Sequence, residues 1–334
     1  MNNTQNRNNT VDLLRFITCF FVVLIHCPLP GPLGKVIIYI GRYGVPLFLL
    51  LSGWFSYSAD SKIMLTHAKK KLIDTLQLLS LFIFAYFIIN SITAIISGKF
   101  FLSWILSYIN IKTFISLILF NRAIFLGSTG YYVIMLIYVY IIYILLIKYR
   151  LLNKAFTLIP FLLITNVLLG AFTNLPFFCY GNFLFTGLPF FLLGHWLHKN
   201  NYRLPKNLFV LLYLFILGGL LSLAEAYLNR PAYCFCGSIF MAVALLLFSV
   251  NYDFHIRNQK CIQFLRQYSV YLFVLHCGLR DLLLTFLNKS RLSYYSYEFI
   301  ILLILFALII CFVGSFLSSH KKCFIQIKLP KKRK

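Results

Sequence analysis

Apolar runs of about 20 residues, the length of a helix that crosses a bilayer, recur at residues 10–27, 36–57, 72–97, 129–147, 155–173, 182–198, 207–228, 236–252, 268–287 and 298–317. Polar or helix-breaking residues separate them; Pro28, Pro30, Gly31 and Pro32 close the first. Runs this long are about twice a barrel strand, so the expected fold class is all-α, a polytopic transmembrane helical bundle of about ten spans. Phe100 to Phe120 is apolar and long enough to cross, yet Asn110 and Lys112 fall at its middle. It is expected to form two half-helices tucked against the bundle or lying in the interface.

Charge sets the orientation. With the N-terminus inside, 21 of the 31 Lys and Arg fall in cytoplasmic segments and 7 in outer ones, while Arg15, Arg42 and Arg280 lie within spans. This bias points both termini to the cytoplasm; a full extra span at 100–120 would reverse it. Residues 1–320 are expected to form one transmembrane domain and residues 321–334 a basic cytoplasmic tail. The net charge of +24 is a topology signal, spread over short loops, and implies no nucleic-acid partner. No small-residue cleavage site follows the first apolar run, so that helix is expected to stay. A chain that is 61% hydrophobic and 11% charged has more apolar surface than a soluble domain of this size can bury.

Within this apolar background the first span, NTVDLLRFITCFFVVLIHC, holds Asp12, Arg15 and His26. Ionisable groups inside lipid mark function by default. Arg15 and His26 are eleven residues apart, so they share one face within roughly 20° and stand about 16 Å apart along the axis. Asp12, Cys19 and Val22 share that face. Each residue has a plain alternative: Arg15 can snorkel to headgroups, His26 can sit in the interface, and Asp12 can simply pair with Arg15 one turn on.

The second span, GRYGVPLFLLLSGWFSYS, places Arg42 near the depth of His26, where it could hold a phosphate or an oxyanion or else meet lipid phosphate. Pro46 should kink this span, and Ser52 with Gly53 permits close helix approach. Tyr131 and Tyr132 suit the aromatic belt. His195 and His198, three apart, are weak metal ligands and fit a cytoplasmic interfacial pair; no metal is expected. The ninth span carries His276, Arg280 and Asp281, either a structural triad or a ligand contact, and Glu225 is a proton partner or a polar clasp. A disulfide between Cys179 and Cys234 or Cys236 is open to the outer face, and Cys27 is a buried thiol or a thiolate beside His26. Motifs for dinucleotide binding, NTP hydrolysis, metalloproteolysis and serine hydrolysis are absent from the sequence.

Three blocks in order, VDLLRFITCFFVVLIH, GRYGVPLFLLLSGWF and SVYLFVLH, resemble the acyltransferase 3 family, membrane enzymes that place acetyl or related groups on glycans, often bacterial cell-surface polysaccharides. The first block is similar to that family's Arg and His with ten residues between, here Arg15 and His26. At the fourth span the family often has His or Glu before Trp-Tyr, whereas this chain has Ser128 to Tyr132. The resemblance implies a multi-pass protein of the plasma or inner membrane. It also implies an acyl-CoA donor, acetyl-CoA above all, and a hydroxyl acceptor on a polysaccharide or lipid-linked glycan. No tightly bound cofactor is implied. A hydroxyl needs a base, and His26 is the expected one. Arg15 is expected to act with it, holding CoA phosphates or the oxyanion, while Arg42, Asp12, Ser52 and His276 are expected around the substrate. A covalent acyl-His or acyl-Cys27 carrier also fits. The rivals are a transporter or flippase for a lipid-linked glycan, whose usual internal repeats are not evident here, and a non-catalytic membrane partner.

Overall fold

The computed structural model describes residues 8–98, 101–122, 126, 130–228, 234–254, 259–287, 298–306 and 308–309. Regular structure among them is helical throughout. In order it comprises α1 (Asn9–His26), α2 (Gly31–Gly41), α3 (Gly44–Trp54), α4 (Ser61–Ile96), α5 (Phe101–Tyr108), α6 (Ile111–Phe120), α7 (Gly130–Lys148), α8 (Leu152–Ala155), α9 (Leu158–Phe172), α10 (Leu188–Lys199), α11 (Leu208–Tyr227), α12 (Cys236–Asn251) and α13 (Gln259–Leu287), with a further helix at 298–306. Seven helical segments are long and apolar enough to cross a membrane: α1, α2 with α3, α4, α7, α8 with α9, α11, and residues Phe264–Leu287 of α13. They fall on seven of the ten expected spans. Of the other three, 182–198 is a π-turn (Phe183–Gly187) running into α10, 236–252 is the 16-residue α12, and 298–317 is described only at 298–306 and 308–309. The tail at 321–334 lies outside the described residues.

Local chemistry explains the boundaries. Asn8 caps α1 by accepting from the Val11 N–H at 3.2 Å, and Asp60 caps α4 by accepting from Lys62 at 2.7 Å. Asn110 accepts from the Thr113 N–H at 2.9 Å and starts α6. The 100–120 stretch therefore breaks into two short helices as expected. The second span breaks at Arg42 and Tyr43, one turn before Pro46. Pro46 has no N–H for the Arg42 carbonyl and its ring crowds that group, so the interruption falls four residues upstream of the proline.

The most extensive helix pairs are α11 with α12, α3 with α10, α1 with α13, and α4 with α7. Lipid tails are as apolar as leucine, so close packing holds such pairs together. Glycine makes the α3–α10 contact: a Cβ at Gly53 would stand 1.9 Å from the Phe191 carbonyl oxygen, and one at Gly194 2.0 Å from that of Leu50. The outward faces of α4 and α11 expose Phe84, Ile95, Phe209 and Leu220, as a lipid-covered surface requires. The first helix is tied to the chain just before α13. Asp253 accepts from the Asn9 N–H at 2.9 Å, and Thr10 accepts from the Phe254 N–H at 2.7 Å.

Candidate active site

One end of the bundle carries Lys148, Arg150, Lys154 and Lys199, and near it α1 meets the start of α13. Asp12 is 5% exposed there. Arg15 approaches its Oδ1 at 3.7 Å and Arg266 approaches its Oδ2 at 3.9 Å. Two guanidiniums thus flank one carboxylate at electrostatic range rather than hydrogen-bonding range, which leaves N–H donors for another oxyanion. Arg15 also lies over the Phe55 ring, 5.7 Å from its centroid.

A cavity of about 230 Å³ opens beside the two arginines. Cys19, Ser52 and Ser269 give it small polar groups, and Phe48, Tyr132, Phe273 and Val274 line the rest with Leu78, Val133 and Val270. Tyr132 is buried, not part of an aromatic belt: its ring packs edge-on against Phe48 and Phe273 at 6.2 and 5.0 Å. The Cys19 thiol donates to the Ser269 carbonyl at 3.3 Å and joins α1 to α13 across the wall.

One turn beyond Phe273 lies His276, with its ring 5.2 Å from that of His26. His276 is fully buried. Its Nδ1 contacts the Leu272 and Phe273 carbonyls at 3.0 and 3.1 Å. Carbonyls only accept, so Nδ1 carries the proton, and in the neutral ring Nε2 holds a lone pair. That Nε2 is buried and has no hydrogen-bond partner. His26, His276 and Cys277 each bring a ligand atom within 4.8 Å of the others, so among the described residues these three could hold a metal ion.

Tyr86 of α4 fixes this turn of α13. Its hydroxyl donates to the Val274 carbonyl at 3.3 Å and accepts from the Gly278 N–H at 3.1 Å. Those two backbone groups are four residues apart on α13, so the phenol bridges one rung of the helix at the turn bearing His276. On the other side Arg280 donates to the His26 carbonyl at 3.4 Å and pairs with Asp281 at 2.7 Å.

Of the expected site residues, Arg15 and Ser52 line the cavity, Asp12 sits beside Arg15, and His26 meets His276 beyond the far wall. Arg42 does not line the cavity; it stands at the α2–α3 break, within electrostatic reach of Tyr180 and Cys234. Sequence reasoning missed Arg266, Ser269, Tyr132 and Tyr86. The signal for the first two was present: Arg266, Ser269, Phe273, His276 and Arg280 are spaced alternately three and four apart, a second stripe matching that of α1.

Two other expectations are corrected, and one left open is narrowed. His195 is not interfacial but 1% exposed, its Nδ1 3.1 Å from the Tyr143 hydroxyl, while His198 stacks on Trp54 at 4.5 Å. Cys179, Cys234 and Cys236 are free thiols, so no outer disulfide links them. Glu225 accepts from the Cys236 and Gly237 N–H groups at 3.0 and 3.4 Å, capping α12, and is thus the polar clasp of its two alternatives.

Comparison with known families decides among the chemistries such a site allows. The model of the acyltransferase 3 family, described as an acyltransferase domain, matches residues 8–320. The chain belongs to this acyltransferase family. No curated protein matches it, and no solved structure does. With its long apolar helices the protein is a membrane acyltransferase.

Proposed function

We propose that this acyltransferase moves an acetyl-type group from acyl-CoA, supplied from the cytoplasm, to a hydroxyl of a cell-surface polysaccharide or lipid-linked glycan at the plasma membrane. The observation that supports this most is the cavity lined by Arg15 and Arg266, with His276 three residues past its Phe273 wall and His26 against His276. The cavity suits the arm of a thioester donor, with donor phosphate at the arginines and the thioester toward the histidines. Arg266 and His276 are ten residues apart on α13, about 15 Å along the axis, a span for an extended pantetheine arm.

The roles follow from the chemistry. The acceptor hydroxyl is a weak nucleophile until a base takes its proton. His276 Nε2 takes it, since its lone pair is unengaged while Nδ1–H is held by carbonyls. The alkoxide oxygen forms a bond to the thioester carbon, and the carbonyl electron pair moves onto oxygen. When the intermediate collapses the C–S bond breaks, and the CoA sulfur leaves with the proton that His276 returns. His26, one ring away, faces the same carbon and orients the acceptor. Arg15 and Arg266 hold phosphate oxygens of the donor. The experiment is transfer of labelled acetyl from acetyl-CoA in membrane vesicles, comparing wild type with His276→Ala and His26→Ala. Loss of transfer in both variants is expected; wild-type turnover in His276→Ala would remove it as the base.

A further inference from the structure

A second cavity, of about 380 Å³, opens at the basic end of the bundle where the chain after α3 meets α4, α7, α8 and α10. None of its lining residues belongs to the cavity beside Arg15 and Arg266. Its chemistry has three parts. Tyr57 and Phe156 supply aromatic faces, and Arg150 and Lys199 supply positive charge. The third part is His195.

The Tyr143 hydroxyl has one proton and lies 3.0 Å from the Ser56 carbonyl, which can only accept it. The His195 Nδ1 at 3.1 Å from the same hydroxyl must then be the donor, and Nε2 is left as an acceptor on a buried ring that lines the cavity. A buried acceptor between aromatic faces calls for a flat ligand with an N–H, such as the exocyclic amine of adenine.

Arg150 adds an independent sign. It sits at the C-terminal cap of α7 with φ 58°, where the Leu151 N–H bonds back to the Leu146 carbonyl at 2.8 Å. That left-handed position favours glycine. An arginine held there has a cost to its backbone, and it has no carboxylate partner among the described residues. Lys199 is held toward the cavity by a 2.8 Å bond to Asn153 and by the Phe156 ring at 5.6 Å.

The two cavities are linked through α3 and the chain that follows it. Ser52 lines the first and Tyr57 the second, and Phe55 between them carries Arg15. From Phe48 to the end of α3 is about 9 Å. We propose that this second cavity seats the nucleotide end of the acyl-CoA donor, with adenine in the cavity beside Tyr57 and Phe156, its amine on His195, and phosphate on Arg150 and Lys199. The assignment rests on the donor named under Proposed function.

The test uses the full-length enzyme in detergent and the exposed Arg150→Ala and Lys199→Ala variants, singly and together. The first readout is equilibrium binding of labelled 3′,5′-adenosine bisphosphate, which needs no turnover; each variant is expected to weaken it about tenfold. The second readout is transfer from two donors. With acetyl-CoA the variants should raise KM and leave kcat unchanged; with S-acetylpantetheine, which lacks the nucleotide, they should behave as wild type. Unchanged binding of the bisphosphate, or equal losses with both donors, overturns the proposal and points to a lipid headgroup or a structural role instead. A wild type that binds the bisphosphate at this cavity yet transfers from neither thioester would refute the proposed reaction while the nucleotide site stands.

Discussion

Gly194→Ala perturbs the site without touching it. The added methyl would stand 2.0 Å from the Leu50 carbonyl oxygen, whereas ordinary contacts begin at 3.4 Å, so α3 and α10 must separate by about 1.4 Å, the difference between those distances. The obstructing atom is mid-helix backbone and cannot swing aside. Phe48 and Ser52 ride on α3 and line the candidate cavity, so they move relative to Arg15 on α1 and Phe273 on α13. Overpacking of this kind destabilises by about 1–3 kcal/mol, and a displacement near 1 Å at a reacting centre costs roughly 10²-fold in rate. The assays are thermal unfolding of purified enzyme in detergent and labelled acetyl transfer in vesicles. Expected is a folded, monodisperse variant with a lower Tm and about one hundredth of wild-type turnover. Gly53→Ala meets the Phe191 carbonyl in the same interface, so the double variant should lose less than the sum of the singles. Wild-type Tm and turnover in Gly194→Ala would refute the close approach of these helices.

His276→Ala should lower kcat by about 10²- to 10⁴-fold, the usual contribution of a general base, with single-turnover acetyl transfer as the measurement. Tyr86→Phe removes the hydroxyl bridging Val274 and Gly278; kcat should fall about tenfold as His276 loses its register while KM for the donor holds, since no donor contact is lost. Zn²⁺ added to vesicles should inhibit by occupying His26, His276 and Cys277, and EDTA should restore the rate; indifference to Zn²⁺ would mean the three do not converge. Asp12→Asn removes the carboxylate between Arg15 and Arg266, and a lower Tm is expected that added phosphate partly restores.

Much of the bundle was legible because lipid imposes a simple rule: a helix of about 20 apolar residues satisfies its own backbone. Half of the candidate site was legible for the same reason. Against an apolar helix, Asp12, Arg15 and His26 stand out, and a period of 3.6 places them on one face. The missing half depends on which helices meet. Nothing local to Arg266 distinguishes it from a loop base, and nothing local to Tyr132 distinguishes a cavity wall from a belt residue. His195 looked interfacial because it is one turn from Lys199, yet α10 passes so close to α3 through Gly53 and Gly194 that the ring is buried from bulk solvent at the wall of the second cavity. The π-turn ahead of α10 was likewise unreadable, since it rests on Asn166 reaching from α9 to Tyr180 and Thr186 at 2.9 Å.

The two helices that make up the site come from opposite ends of the chain: His26 and Arg280 touch across 254 positions. At about 5–20 residues per second, a ribosome needs roughly 13–50 s to deliver the second after the first. Throughout that interval the newborn first helix must hold Asp12 and Arg15 in the bilayer unaided, and their attraction within one turn makes the wait tolerable. Arg266 and His276 arrive with α13, so a product stalled before it holds the charged first helix without the second arginine or the second histidine of the candidate site.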